Sequence, residues 1–223
     1  MPGERLLELV QVMDRLRTRC PWDARQTHQS LTTYLVEETY EALEAVETGD
    51  RGHLREELGD LLLQIVFHAR IAEEHPGDPW GIDDVAGGIV DKLVRRHPHV
   101  FADTVVADAE EVQANWEQLK ADEKQRASAL DGVPLGLPAL TLAAKLLDRA
   151  RRAGLDVGAP SNRSNGDAGD GAGAAGIGAA LFDLVVTARA AGVDPEQALR
   201  AHLRQFTDEV RAAELAERNQ RTP

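Results

Sequence analysis

A single cysteine stands among the 223 residues, so Cys20 has no internal partner and a disulfide framework is excluded. Positive charge is also in short supply. With 25 Lys and Arg against 38 Asp and Glu the formal net charge is −13, which argues against a nucleic-acid polymer as partner, because binding one rests mainly on cations that neutralise phosphates. A small phosphorylated substrate stays compatible with such acidity if a metal ion bridges the repulsion. No apolar run approaches the roughly 20 residues of a membrane span; even "LLLQIVFHARIA" is broken by Gln64, His68 and Arg70. The opening "MPGERLLELVQVMDRL" lacks the basic, apolar, then small-residue order of a secretion signal. The expectation is a soluble, cytoplasmic chain with no membrane partner.

Aromatic residues make up only 4% of the chain, whereas Leu, Ala, Val, Glu and Arg dominate. That palette favours helix over strand, and no segment shows convincing strand alternation, so the expected fold is all-α. Helical periodicity predicts helices over 4–17, 28–48, 52–74, 83–96, 107–126, 140–153, 179–191 and 195–218. The breaks fall at Pro21, at Gly49-Asp50, in "HPGDP" and "HPHVF", and in the connector "LDGVPLGLPAL". The second and third helices form an antiparallel hairpin with a short connection. "VGAPSNRSNGDAGDGAGAAGIG" has almost nothing to bury and reads as a flexible linker. The organisation expected is a helical domain over 1–153, a Gly/Ala-rich linker over 154–178 and a smaller helical segment over 179–223.

Within this framework the stretch "YLVEETYEALEAV" sets glutamates into an apolar helix. A turn of about 100° per residue places Leu31, Tyr34, Leu35, Ala42, Ala45 and Val46 on one stripe, with Glu38 in its middle and Glu41 at its edge. Glu37, Glu44 and Glu47 point toward solvent. On the next helix Leu54, Leu58, Leu61, Ile65 and Ala72 form the expected apolar stripe, flanked by Glu57 and Asp60, which share a face three residues apart. Ionised carboxylates brought together in a core repel one another and lose solvation, so they persist only with compensating protons or cations. Oxygen ligands favour a hard ion, Mg²⁺ or Mn²⁺, and the lack of nearby cysteines or paired histidines argues against zinc. The bland alternative, surface acids on two amphipathic helices, would require exposing Leu35 and Ala42 along with Glu38.

"EETYE" followed by "ELGD" resembles the E-E-x-x-E and E-x-x-D signature of MazG nucleoside triphosphate pyrophosphohydrolases. "CPWDARQTH", "DKLVRRHPHVF" and "NWEQLK" are similar to further MazG segments in the family's order, so the resemblance spans about residues 5–153. It implies a four-helix all-α core carrying acids inside, usually in a homodimer. It also implies Mg²⁺-dependent hydrolysis of a nucleoside triphosphate to monophosphate and pyrophosphate, with a house-cleaning role against noncanonical triphosphates. Carried over residue by residue, the catalytic metal ligands are Glu38, Glu41, Glu57 and Asp60. The substrate-binding residues are Lys92, Arg96, Trp116 and Lys120. From spacing alone, Lys92 with Arg96 and Trp116 with Lys120 each lie one turn apart and can converge on one ligand, while a solvated basic edge and a core aromatic stay open as readings.

The second half departs from the pattern of two-domain members. Aligning "GIGAALFDLVVTARAAG" with the acidic helix puts Gly176 and Ala179 where Glu and Asp would stand, so this half is expected to be a degenerate repeat without a ligand set. A di-iron carboxylate protein is disfavoured because it calls for Glu-x-x-His, whereas Glu41 follows Glu38 and Asp60 follows Glu57 at that spacing. A non-catalytic helical scaffold with a structural metal site is the remaining rival.

Overall fold

The computed structural model describes residues 3–102, 104–109, 111–112, 115–116, 119, 127–155 and 173–221. Every regular element among them is a helix, so the all-α expectation holds. The chain divides into two compact units, Met1–Asp122 and Glu123–Pro223.

In the first unit α1 (Glu4–Arg19), α2 (Thr32–Thr48), α3 (Arg51–Ala72) and α4 (Ile82–Arg96) form a four-helix core, followed by the short α5 (Pro98–Phe101). Helix α2 begins later than the expected residue 28. The reason is local: Thr27 N–H donates to Ser30 Oγ (2.9 Å) and Ser30 N–H to Thr27 Oγ1 (3.1 Å), which closes a separate turn ahead of it. Its other end stops at Gly49, whose φ of 74° is accessible to glycine without a Cβ clash. Asp50 then caps α3, its Oδ1 accepting from Gly52 N–H (2.9 Å) and His53 N–H (3.0 Å). A two-residue connection of this kind forces α2 and α3 antiparallel and side by side.

Helix α3 is the central element, in contact with α1, α2 and α4. Met13 of α1, Leu31, Val66 and Phe67 form the buried core, with Leu9, Val10, Leu62, Leu63, Ile71 and Ile82 packed around them. This corrects the expected stripe on α3. Leu58 and Ile65 are 54% and 46% exposed, while Glu57, Gln64, Val66, Phe67, Ala69 and Ala72 are buried. "LLLQIVF" is apolar almost all round, and the packing of α1 on Val66 and Phe67 selects the face. On α2, Leu31, Ala42 and Ala45 are buried as expected, but Tyr34 and Val46 are exposed. Glu47, expected in solvent, is half-buried.

The second unit contains α6 (Ala139–Arg152), α7 (Ala174–Ala190) and α8 (Pro195–Arg221). Leu147 and Ala144 of α6 and Val185 and Val186 of α7 supply its buried apolar residues together with Ala150 and Val133. Arg189 donates to Asp148 through two bonds of 3.2 and 2.7 Å, joining α7 to α6. Helix α7 starts at Ala174, ahead of the expected residue 179, so the end of the glycine-rich stretch is helical. The remainder of that stretch, and much of the helix expected over 107–126, lie outside the described residues. No single helix among the described residues is long and apolar enough to cross a membrane.

Candidate active site

The α2–α3 hairpin brings acids from both helices together. One carboxylate oxygen from each of Glu38, Glu41 and Glu57 lies within 4.8 Å of the others, the only such group of potential ligands among the described residues. The antiparallel hairpin explains the grouping: Glu38 and Glu41, one turn apart on α2, meet Glu57 of α3. Glu57 is 6% exposed, Glu38 and Asp60 are half-buried, and Glu41 is exposed. Asp60 is outside the three-residue group, yet its charge acts on Glu38. Loss of solvation, and then the charges of Asp60, Glu41, Glu57 and Glu37, hold the Glu38 carboxyl above its ordinary range.

Glu57 is the most constrained member. His53, one turn earlier on α3, holds its Oε1 at 2.9 Å, while its buried Oε2 has no hydrogen-bond partner. An orphaned, buried carboxylate oxygen beside two further carboxylates fits an oxygen-ligating divalent cation, which would relieve both the repulsion and the missing bond. With such a cation bound, the imidazole would orient the carboxylate rather than be a ligand itself. Sequence reasoning missed His53; its signal was the four-residue spacing to Glu57, which puts the two side chains on one face.

The cationic side is less concentrated. Lys92 is exposed on α4, and Arg96, at the end of that helix, is 7% exposed. The Arg96 guanidinium lies over the Trp116 ring, 5.5 Å from its centroid, so these two predicted substrate residues are brought together. Lys120 falls outside the described residues. Cys20 caps α1 through its backbone N–H to Leu16 O (2.8 Å), and His97 ends α4 with Nδ1 2.7 Å from Leu93 O, both structural roles. A cleft of about 400 Å³ lined by Val10, Asp14, Arg70, Glu73 and Ile82 lies among α1, α3 and the start of α4, and none of the acidic cluster lines it. The orphaned oxygen and mutual repulsion make the carboxylate cluster, and not this cleft, the chemically demanding place.

Acids clustered on a helical hairpin define a class of all-α carboxylate proteins, and comparison with known proteins narrows it. The MazG nucleotide pyrophosphohydrolase domain matches residues 26–101, a span that holds all four acids together with Lys92 and Arg96. A protein of Thermotoga maritima named nucleoside triphosphate pyrophosphohydrolase/pyrophosphatase MazG is 37% identical, over 93% of this chain and 84% of its own length. The chain belongs to the MazG family. The nucleoside triphosphate pyrophosphohydrolase of Mycolicibacterium smegmatis is 46% identical over 96% of this chain, which spans 61% of that relative's length. An "Uncharacterized 26.1 kDa protein" of Streptomyces cacaoi is 54% identical, over 96% of this chain and 84% of its own.

Proposed function

We propose that this protein hydrolyses nucleoside triphosphates to nucleoside monophosphate and pyrophosphate, with Mg²⁺ as its cation and Mn²⁺ as a substitute. The observation that carries this reading is the Glu38–Glu41–Glu57 cluster, in which Glu57 has a buried Oε2 without a hydrogen-bond partner. Glu38, Glu41, Glu57 and Asp60 hold the cation, which when bound supplies positive charge and lowers the pKa of water. In the reaction a water oxygen bonds to the α-phosphorus, the bond from that phosphorus to the α–β bridging oxygen breaks, and pyrophosphate leaves. One of these carboxylates receives the water's proton. Lys92 and Arg96 neutralise the leaving phosphates, joined by Lys120, and Trp116, held under the Arg96 guanidinium, lines the substrate side.

A homodimer fits the same reading. Val85, Ile89 and Leu93, spaced four residues apart on α4, and Val100 and Phe101 of α5 are all at least 38% exposed in the single chain, apolar side chains that a second copy would cover. Gly176 and Ala179 leave α7 without acids at the ligand positions, which confines the chemistry to the first unit. Removal of noncanonical or surplus nucleotides in the cytoplasm is the role this activity serves. The rival, a scaffold with a structural metal, also binds metal, so turnover separates the two. Incubation with Mg²⁺ and a panel of common and damaged triphosphates, followed by ³¹P NMR, is expected to reveal monophosphate and pyrophosphate; diphosphate plus phosphate would place the cleavage elsewhere, and no product would favour the scaffold.

A further inference from the structure

Three buried side-chain atoms lack a hydrogen-bond partner among the described residues: Glu57 Oε2, Gln64 Oε1 and His68 Nε2. All three belong to α3, and with Asp60 they step along it at intervals of three and four residues, so they share one face. Native cores leave few polar atoms unpaired, and three of them on one helix face form a polar lane that calls for a hydrogen-bonding partner. Gln64 is 5% exposed, so its amide oxygen is inaccessible to bulk water. The orientation of His68 is fixed from its other side, where its Nδ1 lies 2.7 Å from His28 Nδ1 with the two ring planes 2° apart.

The two ends of the lane differ in chemistry. At Glu57 it is anionic and suits a cation with its phosphates. About 10 Å farther along the helix axis stands an amide, and about 6 Å beyond that an imidazole nitrogen. An amide and an imidazole offer directional donors and acceptors with no cluster of positive charge, which matches the hydrogen-bonding edge of a planar heterocycle better than a phosphate. We propose that Gln64 is a specificity-determining residue that hydrogen-bonds the nucleobase of the bound nucleotide, with His68 Nε2 as the adjoining contact. The proposal rests on the nucleotide reading of the carboxylate site, and it adds the place where the base is read.

The test compares the full-length protein with its Gln64→Leu and Gln64→Met variants. Turnover and equilibrium binding are measured for triphosphates of different bases and for ribose 5-triphosphate, which lacks a base. Melting of the ligand-free proteins is followed in parallel. Both variants are expected to melt no lower than wild type, because a buried amide whose oxygen has no partner is replaced by an apolar side chain of similar size. They are expected to lose on the order of tenfold in kcat/KM and affinity for the preferred triphosphate, the scale of one good hydrogen bond. The spread among bases should narrow while ribose 5-triphosphate is handled as by wild type. An unchanged ranking of bases, or an equal loss with ribose 5-triphosphate, would overturn the proposal, the latter pointing to a structural amide bridged by buried water. If folding fails in the branched variant, the unbranched Met variant decides. Wild-type protein that binds triphosphates base-selectively without cleaving them would refute the hydrolase reading alone; no binding would refute both.

Discussion

The Arg17 guanidinium and the Glu74 carboxylate, 57 residues apart, are joined by two hydrogen bonds of 2.9 and 2.7 Å. The same guanidinium donates to Gln26 O (2.9 Å) and Asp23 O (2.5 Å), so a single side chain ties the end of α3 to the loop that leads from α1 into α2. Arg70 adds bonds to Glu74 (3.1 Å) and Asp14 (2.9 Å). The side chain of Arg17 is only 9% exposed and that of Glu74 is 42% exposed.

Arg17→Ala is expected to destabilise the first unit by roughly 1–2 kcal/mol, mainly through the lost hydrogen bonds to Gln26 O and Asp23 O, of which Asp23 O keeps the Gln26 N–H as a partner, since the half-exposed carboxylate can be resolvated. Urea unfolding at neutral pH measures it. The hydrogen bond from Arg17 holds the Glu74 carboxyl below its ordinary value of 4.5, with burial opposing and the charges of Arg17 and Arg70 assisting. A depressed folded pKa means stability that is complete above pH 4.5 and lost as pH falls through the lower folded value. The advantage of wild type over Glu74→Gln should therefore shrink below about pH 4.5. A constant difference down to pH 3 would show that the ion pair contributes nothing.

Glu38→Gln and Asp60→Asn are expected to cut turnover on the order of a hundredfold or more, beyond what loss of an outer-shell partner does, while the apo protein melts no lower than wild type. Stability is retained because each change removes one charge from a group that repels itself. Mg²⁺ at a hundred times its Kd should stabilise wild type by about 2.7 kcal/mol and the variants less. Undiminished activity in either variant would remove that residue from the ligand set.

Burial, and secondarily the neighbouring His28, hold the His68 imidazole below its ordinary pKa of 6.5. The 2.7 Å Nδ1–Nδ1 contact needs one proton between the rings, and a second would set two N–H groups against each other. The native state thus binds fewer protons, so the contribution is full above pH 6.5 and lost as pH falls through the folded value. NMR titration should place His68 below 6.5 in wild type and closer to it in His28→Ala. A titration of His68 at or above 6.5 in wild type would contradict the assignment.

Several features were legible before any coordinates. Gly49-Asp50 marks the hairpin turn, since glycine tolerates the left-handed backbone and aspartate caps the next helix. Glu38, Glu41 and Glu57 follow from helical spacing and from the resemblance of "EETYE" and "ELGD" to the family motifs. The buried face of α3 was not legible. Where apolar residues surround a helix, its own periodicity carries little information, and Leu58 and Ile65 proved exposed while Glu57 and Gln64 lie inside. The His53–Glu57 contact was hidden for a related reason, because a spacing of four allows many pairs and only burial picks out one.

By itself the amino-acid order determined which segments are helical, to within a few residues at their ends, and which of them carry acids, because capping, propensity and periodicity act over short range. Only the tertiary arrangement decided which oxygens converge, which one is left without a partner and how far Arg17 reaches. Those outcomes depend on α1 choosing one side of α3, a contact between segments about fifty residues apart that no local pattern encodes.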